Sequence, residues 1–221
     1  MAAQPLATLI GDVVGSKQFS NRAELQRSLA QALRSVNTIL DPPHPLEPTI
    51  GDEFQGGFSS VASAERASLL LRLTLLGRNG ADSRYGVGYG VVEIFEANRS
   101  PTSQDGPGWW SARAAIDRAK RLGGSTRTSF VRSSFERWPE EESMAPTEAA
   151  AVDAFLICRD AIVDQMPART RRLLLGMLLG EPQAQLAADE GVTQSAVSQS
   201  LARGGAFAIE AGQLRLEEEL R

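Results

Sequence analysis

The chain has 221 residues, enough for one large folded unit or two smaller ones, with an ordinary apolar content and a formal charge of −4. That charge excludes a surface coated in nucleic-acid contacts, while leaving room for one small DNA-reading module. A single cysteine, Cys158, and a single histidine, His44, exclude an internal disulfide framework and a Cys/His zinc site.

The start, Met1 to Pro5, lacks the basic residues and long apolar run of a signal peptide, and no apolar run approaches the length of a membrane span. With one unpaired thiol this predicts a cytoplasmic protein in a reducing compartment. Leu6 to Val13 reads as a strand, with Leu6, Thr8, Ile10 and Asp12 on one face and Asp12 at its carboxyl end. Residues 21–40 read as an amphipathic helix capped by Ser20 or Asn21, with Leu25, Leu29, Ala32, Leu33 and Val36 at helical spacing.

Asp41-Pro-Pro-His-Pro45 reads as a rigid proline loop, which leaves His44 unsuited to a catalytic triad. Thr49–Ile50 and Glu53–Phe58 read as the arms of a hairpin turning at Gly51-Asp52. A helix follows over residues 62–76, then a Gly-rich strand over 84–92. Glycines inside a strand mark close approach of a backbone or a ligand. Residues 98–108 read as a polar loop, 109–122 as a third helix and 125–131 as a last strand. The order β-α-β-β-α-β describes an α+β domain of ferredoxin-like or palm type, with helices over one sheet face. This domain is expected over residues 1–135, with an acidic, proline-containing linker over 136–146. Everything in 147–221 reads as helical, except that the tail from Ala206 fits either a helix or a short hairpin.

Ile10-Gly-Asp12 and Gly51-Asp-Glu53 each place a carboxylate at a Gly-flanked break in an apolar segment. Two strand-end carboxylates can converge on one hard cation, so Asp12 and Asp52 are the candidate metal ligands, for Mg2+ or Mn2+. Glu53 follows directly but is expected on the opposite face, as an outer-shell group. The N–H groups of Val14, Gly15 and Ser16, with Lys17 nearby, form a candidate phosphate cradle. Arg113 is a candidate phosphate contact on the third helix. One of Trp109 and Trp110 is expected to anchor that helix, the other to be free for stacking on a base. The bland reading is that both Asp-Gly pairs are only turns.

Ile10-Gly-Asp-Val-Val-Gly-Ser-Lys17 and Gly51-Asp-Glu-Phe-Gln-Gly56 resemble the SatD family over most of the chain. Over residues 6–131 they resemble, more distantly, class III nucleotide cyclases and diguanylate cyclases of palm-like fold. The resemblance implies that Asp12 and Asp52 occupy metal-binding positions, one ending the first strand and one following a Gly at a hairpin tip. It also implies that Tyr85-Gly-Val-Gly-Tyr-Gly90 matches the Gly-rich strand and that Arg113 matches a catalytic helix arginine. Two positions depart from it. Pro48 stands where a base-reading Lys is expected, and Trp109 where a transition-state Asn is expected. Neither side chain replaces the lost polar groups. The metal-binding half of such a site is retained, and the cyclising half is not.

Residues 183–201 resemble a helix-turn-helix in the style of sigma-factor region 4. Gly191 supplies the turn, Thr193 the cap, and Ala196, Val197 and Leu201 the inward face. Gln194, Ser195, Ser198, Gln199 and Arg203 are then the candidate DNA contacts, with Arg169, Arg171 and Arg172 flanking. One such unit binds weakly, so a homodimer is expected, with residues 147–166 offering Ala151, Phe155, Ile162 and Val163 as an interface. The combined reading is a DNA-binding regulatory protein whose cyclase-like domain binds a nucleotide and a divalent metal. A metal-dependent nucleotidyl- or phosphoryl-transfer enzyme and a non-catalytic adaptor are the alternatives.

Overall fold

The computed structural model describes residues 4–96 and 103–219. A mixed α/β N-terminal part is followed by an all-α C-terminal part. The central strand β1 (Gln4–Val13) pairs antiparallel with β3 (Phe54–Phe58) on one edge and with β4 (Ser83–Glu96) on the other. β2 (His44–Pro48) pairs with β3, and β6 (Ser133–Arg137) runs parallel to β4 over residues 85–89. β5 (Ser103–Asp105) pairs with the far end of β4.

Period-two alternation along β1 divides the core. Ala7, Leu9 and Val13 face α1 (Arg22–Leu40) and α2 (Val61–Asn79), while Ile10 and Thr8 face α3 (Pro107–Gly123). Helices therefore cover both faces of the sheet, not one as the element order suggests. The glycine stripe of β4 makes the second face possible. A Cβ at Gly86 would sit 2.3 Å from the Ala112 carbonyl oxygen, and one at Gly88 would sit 2.2 Å from the Ala112 nitrogen. The stripe serves close approach of the α3 backbone.

Three boundaries differ from expectation. The stretch read as a proline loop contains β2, because an edge strand tolerates the missing N–H groups of Pro45 and Pro48. The last strand lies at Ser133–Arg137, not 125–131, and runs into the expected linker; residues 124–130 form turns and bends instead. The loop expected over 98–108 lies partly outside the described residues, and its later part forms β5 and the start of α3.

α2 is apolar around most of its circumference, which requires burial on all sides. One side packs on the sheet. The other, through Leu69 and Leu73, joins a second core built by α4 (Pro146–Gln165), α5 (Ala168–Leu178), α6 (Gln183–Asp189), α7 (Gln194–Arg203) and α8 (Ala206–Glu219). The tail is thus a helix. Val163, Phe155 and Ile162, read as a dimer face, pack against the chain's own cores. Among the described residues no helix is long and apolar enough to cross a membrane.

Candidate functional site

The two Gly-Asp motifs meet in the sheet. Gly11 and Phe54 are register partners, and the Phe54 ring lies across Gly11, where a Cβ would come within 2.2 Å of it. The hairpin turn closes with the Glu53 N–H donating to Ile50 O at 3.2 Å and the Thr49 N–H to Glu53 O at 2.8 Å. Gly51 takes φ +71° there, and Gln26 of α1 donates to its carbonyl at 2.8 Å.

Asp12 lies one residue beyond Gly11, on the α3 face. Its Oδ1 is 3.3 Å from Arg84 Nε of β4, its register partner, and its Oδ2 is 3.2 Å from Lys120 Nζ of α3. The Asp12 Oδ1 and Arg84 Nε atoms are buried and make no hydrogen bond, so that contact is electrostatic. Glu53 lies one residue before Phe54 and takes a bidentate pair of bonds from Arg113 of α3, at 2.7 and 2.8 Å. That guanidinium holds the Glu53 carboxyl below its ordinary range, and Lys120 adds to the effect. Arg113 in turn feels Glu53, Asp117 and Asp12. Glu53, expected on the opposite face, is therefore part of one charge cluster with Asp12. The signal available in the sequence was its adjacency to Phe54, whose ring fixes the strand's pleat.

Asp52 is half-buried in the hairpin turn and makes no contact with Asp12 among the described interactions. The Val14 N–H donates to Asp82 O at 2.8 Å, which removes it from any phosphate cradle. Gly15 takes φ +65° and opens the short 3-10 turn Ser16–Gln18, where Ser16 is buried and Lys17 exposed. Val14, Gly15 and residues 18–20, with Gly80 and Asp82, line a cleft of about 440 Å³. Trp109 is 7% exposed in an apolar cluster with Ile10, Val92, Ala112 and Ile116. Trp110 is half-exposed, donates to Asp105 at 2.8 Å and packs edge-on against Trp138.

The described residues hold no group of three or more His, Cys, Asp or Glu side chains placed to grip a metal ion. Asp12 has a buried oxygen without a hydrogen bond, yet two cations already neutralise it. These residues by themselves do not fit a resident divalent ion, because the ion would have to displace Lys120 against Coulomb repulsion from Arg84. The three cations on β4 and α3 are likewise paired with carboxylates, so an anion reaches them only by displacing those acids.

In the helical part, α6 and α7 are joined by a tight turn with Gly191 at φ +64°, and the Thr193 hydroxyl accepts the Ala196 N–H at 3.2 Å. Gln194, Ser195, Gln199 and Arg203 are exposed and Ser198 is half-buried. Two of the flanking arginines are engaged. Arg171 donates to the carbonyls of Val163 and Asp164, and Arg172 makes a bidentate pair with Glu190 at 2.6 and 2.7 Å. Arg169, Arg172 and Arg203 line a cleft of about 840 Å³ between α5 and the end of α7.

A fold resemblance to solved cyclases accompanies this geometry. A bacterial light-regulated adenylyl cyclase is 14% identical, covering 55% of this chain and 73% of its own, with a TM-score of 0.44. The guanylyl cyclase Cya2 is 15% identical over 53% of this chain and 71% of its own, with a TM-score of 0.42. The active GGEEF domain of a diguanylate cyclase from Vibrio cholerae is 15% identical over 62% of this chain and 85% of its own, with a TM-score of 0.41. No curated protein matches the chain. The SatD family model matches residues 6–134, more than half of the sequence and both Gly-Asp motifs, and the chain belongs to the SatD family.

Proposed function

We propose that this is a DNA-binding regulatory protein whose α/β part binds a nucleoside polyphosphate at the carboxyl end of β1. The observation that carries the reading is the convergence of Arg84, Arg113 and Lys120 on Asp12 and Glu53. Phosphate oxygens offer these cations more charge than the carboxylates do. A divalent ion would enter only together with the nucleotide's phosphates; Asp12 and Asp52 are the acids that the family resemblance offers it. Trp109, buried in an apolar cluster, and Pro48, in β2, supply neither an amide nor an ammonium for cyclisation or base reading at those two positions. That favours sensing over cyclase chemistry. The exposed amides and hydroxyl of Gln194, Ser195 and Gln199 on α7 support the DNA arm, with Arg203 for the backbone. A homodimer would supply the second half-site.

A second reading, metal-dependent phosphoryl or nucleotidyl transfer, is favoured by the buried Asp12 oxygen that lacks a hydrogen bond. Calorimetric titration with nucleoside triphosphates, with and without Mg2+, separates these from an inert adaptor. Binding that weakens in Asp12→Asn with the nucleotide recovered intact supports the sensor, whereas released product supports the enzyme. Fluorescence anisotropy on labelled duplexes, comparing wild type with Gln194→Ala/Gln199→Ala, tests the DNA arm. No binding in either assay leaves only the adaptor.

A further inference from the structure

Glu53 occupies Arg113 in the way a phosphate would, through two parallel charge-assisted bonds at 2.7 and 2.8 Å, on a side chain that is 28% exposed. The cluster is balanced. Arg84, Arg113 and Lys120 contribute three positive charges, and Asp12, Glu53 and Asp117 three negative ones. An anion entering here must displace carboxylates already in place. It gains only by bringing more charge than it removes. A monophosphate offers about two negative charges and little surplus. A triphosphate offers about four, spread over a length that can reach all three cations.

We propose that Glu53 is a built-in competitor that makes the site select polyphosphates, triphosphate over diphosphate and both over monophosphate. This rests on the anion-binding reading above and names its substrate class. Arg113 is the group contested. Its side chain is 44% exposed, so an incoming phosphate reaches it without unfolding α3. Lys120, shared electrostatically by Glu53 and held by Asp12, follows when both acids are displaced.

The test is a ladder of inorganic phosphate, pyrophosphate and tripolyphosphate, titrated calorimetrically at fixed ionic strength with a chelator present, so that no metal enters. Wild type is expected to bind tripolyphosphate at least about tenfold more tightly than pyrophosphate, and phosphate weakest. Glu53→Gln keeps the side chain's shape and removes its charge. It should tighten all three, phosphate most and tripolyphosphate least, and so compress the ladder. Arg113→Met should bind weakly whether or not Glu53 is changed, and thermal melts of each variant establish that it is folded. Equal ladders in wild type and Glu53→Gln overturn the competitor role while leaving the anion site standing. Weaker binding in Glu53→Gln makes Glu53 a positioning residue and overturns it too. No binding of tripolyphosphate by either protein removes the underlying site as well.

Discussion

Two ionic clusters lie on the two faces of one sheet, and they are built to opposite rules. At the first, Asp12 touches Arg84 and Lys120 at 3.3 and 3.2 Å, one oxygen makes no hydrogen bond, and every cation is partly exposed. At the second, Asp160 of α4 is 1% exposed and accepts the N–H groups of Arg132 and Ser133 at 2.7 and 2.6 Å, together with Arg72 at 3.2 Å. Asp82 bridges Arg72 and Arg132 at 2.9 and 2.6 Å, and Asp153 accepts the Phe135 N–H, the Ser134 hydroxyl and Arg118. Arg159, also 1% exposed, reaches the Glu65 carbonyl and the hydroxyls of Ser68 and Ser133. Such a network fastens α4 to β6 and α2 and gives its members no reason to exchange partners. The first cluster is loosely satisfied and open, which is what ligand exchange requires. Charge density alone does not mark a site; incomplete satisfaction with solvent access does.

The largest effect should come from breaking the closed network. Asp160→Ala strands Arg72 and Arg159 in the interior with fewer acceptors, a loss of about 3–5 kcal/mol when a buried pair is cut on one side. Urea unfolding should show α4 released or the whole chain destabilised by that amount. A loss under about 1 kcal/mol would mean that the network is no more structural than the open cluster.

Next comes the platform that holds the open cluster. Gly88→Ala puts a Cβ into the backbone of Gly108 and Ala112, so α3 must shift at a cost of about 1–3 kcal/mol. Because α3 carries Arg113 and Lys120, tripolyphosphate binding should fall although no charge is changed. Unaltered binding would show that the cations do not depend on the seating of α3.

How much of this was legible in sequence follows from the same contrast. Periodicity placed most helices and the central strands, and the two Gly-Asp motifs are indeed neighbours through Gly11 and Phe54. Glu53 lies on the face opposite to the expected one because a turn residue's direction depends on where the turn ends, and the Glu53 N–H closes this one. β2 was hidden by its prolines, which are breakers everywhere except on an edge. The closed network was invisible because charges on a helix ordinarily read as solvated. Its trace was the spacing of Asp153 and Asp160, seven residues apart on the stripe that also holds Leu156 and Val163. Two acids on an apolar stripe need buried partners.

Within the closed network Glu65 is the exception. Neither of its oxygens is hydrogen-bonded, and burial raises its pKa from the usual carboxylate range to about 8 despite Arg159 nearby. A folded-state value above the unfolded one means that the folded chain holds the extra proton. Stability from this group is fully present below the unfolded pKa and is lost as pH rises through about 8. Wild type should therefore lose on the order of 2 kcal/mol between about pH 6 and about pH 8, and Glu65→Gln should flatten that slope. Parallel pH–stability curves for the two proteins would place the titration elsewhere.

The smallest effect on stability should fall on the open cluster, where the comparison is sharpest. Lys120→Met removes the ammonium at 3.2 Å from Asp12, a pair whose lysine is 34% exposed, and Arg84 remains to face the carboxylate. Partly exposed pairs of this kind contribute about 0–1 kcal/mol, so the melting temperature should hardly move. Tripolyphosphate affinity should nevertheless drop several-fold, and its salt dependence should become shallower, because one of three cations has been taken from the site. A variant that melts early but binds normally would reverse the assignment, making Lys120 a structural tie between α3 and β1 and moving the anion-binding role away from this end of the strand.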